Sequence, residues 1–146
     1  MSDESPSELG TRNRNSNKER GGTARPGDDI ADRLLDLAAA VLCLLPELVD
    51  RPNGKNIVKQ LERCGPAGGA NYEEARGAES PADFIHKVRV ALKEVRETQY
   101  WLKLIAKAKL VEGADRRLTP LINEAGELIA ILTASATTAR RRAESA

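Results

Sequence analysis

The chain has 146 residues, a length that suits one domain with little to spare. It is 40% hydrophobic but only 3% aromatic, so its apolar content is Leu, Ala, Ile and Val, the residues of helix-on-helix packing. Charged residues make up 31% and nearly cancel, at +1 net, which excludes a surface coated in one sign of charge and leaves room for a local basic face.

Residues 1–27 hold only Met1, Leu9 and Ala24 as apolar side chains apart from prolines. Such a segment cannot offset its ordering entropy by burial, so a disordered N-terminal tail is expected there. Its cations Arg12, Arg14, Lys18, Arg20 and Arg25 read as a solvated tail. There is no basic segment followed by an apolar one of the signal-peptide kind, and a cytoplasmic location is expected. The longest apolar run, Leu37 to Leu45, is far short of a membrane span.

A four-helix domain is expected over 28–142, with 143–146 fraying. Asp28 and Asp29 are N-cap candidates for a first helix over about 29–45. Ile30, Leu34, Leu37, Val41 and Leu44 form a 4-3-4-3 stripe, and Ala31, Leu35, Ala38, Leu42 and Leu45 form a second beside it. Pro46 and the turn Asp50-Arg51-Pro52-Asn53-Gly54 are expected to end this helix. A second helix starts near Lys55, with a seam of Ile57, Leu61, Cys64, Gly68, Asn71 and Ala75. The periodicity runs through Gly65-Pro66-Ala67-Gly68-Gly69 without a phase break. This predicts a helix bent at Pro66, in which small residues allow close approach of a neighbour, although three glycines and a proline are costly there. Cys43 and Cys64 read as small buried thiols rather than a disulfide.

Ser80 as N-cap with Pro81 next is a clear start signal for a third helix over about 81–110, roughly 45 Å long. Phe84, Val88, Ala91, Val95, Thr98, Leu102 and Ile105 give the strongest period in the chain. Gly113 is expected to end it. A fourth helix follows over about 115–140, with a seam of Leu118, Leu121, Ala125, Leu128, Leu132, Ser135 and Ala139. The fold class is therefore all-α, an antiparallel up-down-up-down four-helix bundle.

Nothing points to catalysis. His86 is the only histidine, and no nucleophile signature accompanies it. Two cysteines and one histidine cannot make a usual four-ligand zinc site, and no cofactor, metal or small-molecule substrate is expected. The third helix instead sorts into faces. His86, Arg89, Lys93, Arg96, Tyr100, Lys103 and Lys107 recur at 3-4-3-4-3-4 spacing opposite the core seam. This basic ridge is suited to a phosphate backbone, with Tyr100 for stacking. Val90, Trp101 and Leu104 project laterally and, with the double stripe on the first helix, predict an oligomer interface. Asn71, Glu94, Glu97 and Thr98 form an expected buried polar set, in which Asn71 bonds one of the other three and fixes helix register.

The runs Lys59-Gln60-Leu61, Ala70-Asn71-Tyr72, Glu74-Ala75-Arg76, Ser80, Asp83-Phe84-Ile85-His86-Lys87, Ala91-Leu92-Lys93-Glu94, Arg96-Glu97-Thr98 and Tyr100-Trp101-Leu102 resemble the bacterial four-helix-bundle family known as ribosomal-RNA intervening-sequence proteins. The resemblance covers about residues 29–135. That family is similar in turn to the accessory variability protein of diversity-generating retroelements. The resemblance implies a ring-shaped homopentamer without enzymatic activity. For the retroelement relatives it implies binding to nucleic acid and to a reverse transcriptase through basic surface. The expected function is thus a non-enzymatic oligomeric scaffold or adaptor that binds RNA or DNA through the third helix. The alternative is a protein-interaction bundle with no nucleic-acid role.

Overall fold

A computed structural model describes residues 22–146, so the expected tail lies largely outside the described residues. Four helices fill the described chain: α1 Asp28–Leu48, α2 Gly54–Arg76, α3 Pro81–Ala108 and α4 Ala114–Glu144. No strand occurs among the described residues. Each helix packs on the next in sequence, α1 also meets α4 along a narrow strip, and the backbones of the diagonal pairs stay apart across a shared core. This is the packing of a four-helix bundle.

Helix boundaries follow local chemistry, with three departures from the sequence expectation. First, α1 runs through Pro46 to Leu48. A proline this close to the C-terminal end forfeits one helical hydrogen bond and leaves the last turn in place. Neither Asp28 nor Asp29 caps this helix; the N-cap is Gly27, in a left-handed conformation with φ 85°. Second, Gly113 does not end α3. Lys109 does, in a left-handed C-cap conformation, and Gly113 becomes the N-cap of α4. Third, α4 persists to Glu144. The start of α3 is as the sequence predicts: the Asp83 N–H donates to Ser80 Oγ at 3.1 Å, with Pro81 in the first turn.

The glycine-rich segment is helical throughout. A Cβ on Gly68 would lie 2.8 Å from Val95 Cγ2 of α3, and one on Gly65 would lie 3.2 Å from Val41 Cγ1 of α1. The glycines thus let α2 approach both neighbours closely, which recovers in packing part of what they cost in helix propensity.

The core is the set of predicted seams. Leu34, Leu37, Val41 and Leu44 are buried, as are Ile57, Leu61 and Cys64 of α2 and Leu118, Ala125, Leu128 and Leu132 of α4. Every α3 seam residue from Val88 to Ile105 is buried, and Phe84 packs partly against them. At the margins of the seams Ile30, Leu121, Ser135 and Ala139 are only half-buried, and two further expectations fail. Asn71 is only half-buried, and Tyr72 beside it fills the core. Cys43, expected to be buried, is exposed, while Cys64 is buried as expected.

Candidate nucleic-acid interface

The α3 outer face is built by the same period that builds its core. His86, Arg89, Lys93, Arg96, Tyr100, Lys103 and Lys107 are all exposed, and Tyr100 stands 59% open to solvent. They span 22 residues of helix, roughly 32 Å end to end at 1.5 Å per residue, with a side chain about every 5 Å. None of Arg89, Lys93, Arg96, Lys103 and Lys107 pairs with a carboxylate among the described residues.

The acidic residues interleaved with these cations in sequence are engaged elsewhere. Arg63 of α2 donates to Glu94 at 3.2 Å and also to Glu97. That contact holds the Glu97 carboxyl below its ordinary range, chiefly through the Arg63 hydrogen bond. Lys87 pairs with Glu74 at 2.8 Å, on the α2 side as well. Ion pairing therefore sorts α3 by flank: neutralised charge faces α2 and free positive charge faces outward. The sequence shows both signs on this helix; what it leaves hidden is Arg63, whose place beside the Cys64 seam position puts it on the α2–α3 border.

The expected buried polar set comes apart. The Asn71 amide donates to the Ala67 carbonyl of its own helix at 2.9 Å, not to α3. A half-buried amide one turn from a free acceptor satisfies itself locally. Glu94 and Glu97 are half-buried and pair with Arg63 rather than with Asn71. Only Thr98 is buried, 2% exposed, and its hydroxyl donates to the Glu94 carbonyl at 2.9 Å. No residue of the set bonds across helices to another of the set.

The lateral residues Val90, Trp101 and Leu104 are half-buried, and Trp101 and Leu104 rest against the core. The Tyr100 and Trp101 rings meet edge to face, centroids 5.2 Å apart. Exposed large apolar surface lies instead on α1, where Leu35, Leu42 and Val49 are 67%, 43% and 40% exposed. They recur every seven residues, and exposed Ala39 and Pro46 fill the intervals at 4-3-4-3 spacing. The second stripe predicted on α1 thus divides: Ala38 and Leu45 enter the core, while Leu35 and Leu42 turn outward. Val49 was missed because the helix was expected to stop at Pro46; the seven-residue repeat running past that proline was the available signal.

Among the described residues no cluster of three or more metal-ligating side chains occurs, and no helix is long and apolar enough to cross a membrane. A helical bundle with one cationic edge and one apolar edge defines the class of molecule. Within that class, the chain belongs to the 23S rRNA-intervening sequence protein family, which matches it over residues 29–134. Its fold is similar to the crystal structure of a protein of unknown function from the S23 ribosomal protein family of Bacteroides thetaiotaomicron. That likeness has 33% identity and a TM-score of 0.64, covering 73% of this chain and 97% of the other. No curated protein matches the chain.

Proposed function

We propose that this protein is a non-enzymatic oligomeric adaptor that binds structured RNA, or DNA, through the α3 ridge. The observation that carries the reading is the set of five outward cations without carboxylate partners among the described residues, on a helix whose own glutamates are tied to Arg63. Unpaired Lys and Arg at intervals of about 5 Å suit a phosphate backbone, and exposed Tyr100 in their midst suits an unstacked base. Membership of the 23S rRNA-intervening sequence protein family is in keeping with an RNA partner. The helices run antiparallel in this reading, since Arg76 near the end of α2 pairs with Asp28 at the start of α1 and Arg117 near the start of α4 pairs with Glu47 near the end of α1. The α1 stripe, with Val90, Trp101 and Leu104, serves assembly into a ring, with a pentamer as the expected stoichiometry; a reverse transcriptase is an expected protein partner.

Mobility shift with a structured RNA over a salt series tests the ridge. Wild type should bind at low salt and weaken steeply as salt rises. Changing Arg89, Lys93, Arg96 and Lys103 together to Ala should abolish the shift, and absence of a wild-type shift at low salt would overturn the reading. The second reading, a protein-interaction bundle without nucleic acid, is favoured by the exposed stripe Leu35–Leu42–Val49. Under it, binding to a protein partner would survive the fourfold change and be lost in L35S/L42S.

A further inference from the structure

One end of the bundle holds an open cleft of about 980 Å³, formed where the start of α1, the α2–α3 turn and the end of α4 converge. This volume is that of a small-molecule site. Its wall is apolar, with Ala75, Phe84 and Ala139 among the lining side chains. Three guanidinium groups, from Arg25, Arg76 and Arg142, join it, together with the start of α3 at Ser80 and Pro81. Arg76 is committed to Asp28 and to Glu73, the latter at 2.9 Å. The Arg25 and Arg142 guanidinium groups form no ion pair among the described residues, while the Arg25 backbone N–H donates to the Asp28 carboxylate at 2.6 Å, and Glu79 is the one acidic side chain in the lining.

Tyr72 makes this more than an electropositive corner. The residue is 7% exposed and packed in the core, yet its hydroxyl has no hydrogen-bond partner among the described residues. It is not a sealed-off group either: Tyr72 lines the cleft, and among the described residues no side-chain polar atom that is fully shut off from solvent lacks a partner. The hydroxyl lies at the cleft wall beside Gly27, which also lines it: a Cβ on Gly27 would fall 2.5 Å from Tyr72 Oη. A buried side chain whose polar tip is left for an incoming partner is unusual, because such groups are ordinarily satisfied within the protein. Burial also pushes the Tyr72 pKa up, so the hydroxyl stays protonated and able to donate.

We infer that this cleft binds a small organic anion with a flat apolar body, the anionic group taken by Arg142 and Arg25 with the Tyr72 hydroxyl and the body laid on Ala75, Phe84 and Ala139. The site is distinct from the α3 ridge and does not depend on nucleic-acid binding. The chemistry requires both parts. The guanidinium groups and the hydroxyl are donors that recognise an acceptor-rich anion, and the apolar wall contributes affinity only if the ligand carries carbon surface.

Calorimetric titration of the full chain with 2-naphthoate tests it, with neutral 2-naphthalenemethanol as the matched control. One site per chain is expected, with the alcohol weaker by about tenfold or more, the scale of losing a charge-assisted bond. Tyr72→Phe keeps the ring in the core and should weaken 2-naphthoate by about threefold to tenfold. Arg142→Ala should weaken it about tenfold, and Arg142→Lys should recover part of that loss. Leu35→Ser, on the α1 stripe, should bind as wild type does. The inference falls if the alcohol binds as tightly as the carboxylate, if the Tyr72 and Arg142 variants bind like wild type, if Leu35→Ser removes binding, or if no heat appears at millimolar ligand.

Discussion

Helices α1 and α3 occupy opposite corners of the bundle and use the same amphipathic grammar to different ends. Helix α3 lies between two neighbours, packs extensively on both, and buries every seam residue from Val88 to Ile105. What it leaves outside is charge. Helix α1 packs mainly on α2 and meets α4 along a narrow strip bridged by ion pairs: Arg33 donates to Glu124 and to Glu127, the latter at 2.6 Å, and Arg117 donates to Glu47 at 2.8 Å. It carries more apolar surface than its neighbours cover, and the remainder faces solvent as Leu35, Leu42 and Val49. A broad apolar face on a helix with one strong neighbour leaves a second surface; on a helix with two it is consumed.

The sharpest way to break this contrast is truncation on each helix. Leu102→Ala, at a fully buried α3 position, should cost about 3 kcal/mol in chemical denaturation. Leu35→Ala should cost less than about 0.5 kcal/mol at concentrations where the chain is monomeric. It should instead lower the apparent mass in light scattering at micromolar concentration. Comparable destabilisation by both variants would erase the distinction.

The glycines of α2 permit a finer comparison, because they address the two helices separately. Gly68→Ala drives a methyl into Val95 on α3, a contact of 2.8 Å against a buried and branched side chain. Overpacking there should outweigh the gain in helix propensity, for a net loss of about 1–2 kcal/mol. Gly65→Ala meets Val41 of α1 at 3.2 Å, where a small adjustment suffices, and propensity should bring the net change to about zero. Thermal unfolding of the pair ranks how tightly each neighbour is held.

The smallest effect concerns acid. The Arg33 hydrogen bond holds the Glu124 carboxyl below its ordinary range. A carboxylate whose folded pKa lies below its unfolded value contributes stability above that unfolded value, about pH 4.3 for Glu, and loses it as pH falls through the lowered folded value. Stability measured from pH 7 down to 3 should therefore fall less steeply in Glu124→Gln than in wild type. An acid slope in Glu124→Gln identical to that of wild type would show that the Arg33 pair adds nothing to the α1–α4 contact.

Much of this architecture is legible in the residues, because a four-helix core is a matter of period. The seams from Ile57 to Cys64, Val88 to Ile105 and Leu118 to Leu132 follow from spacing alone, and the start of α3 follows from Ser80-Pro81. The α3 ridge was legible for the same reason. What spacing does not carry is the choice among partners. It places Asn71 on a seam but says nothing of the Ala67 carbonyl within reach. It shows two stripes on α1 but not how many neighbours are there to cover them. It also gives no sign of the end cleft, whose walls come from three segments far apart in the chain.

The contact of Trp101 has a practical consequence. It is the only tryptophan, its indole N–H lies 3.5 Å from the Glu97 carboxylate that Arg63 also holds, and its ring abuts Tyr100 on the ridge. The chain thus carries a built-in optical gauge between its core and its cationic edge. Emission from this one indole should shift to longer wavelength on unfolding, and should change in intensity without such a shift when an anionic polymer settles over Tyr100, so that the two events can be told apart in a single cuvette without any added label.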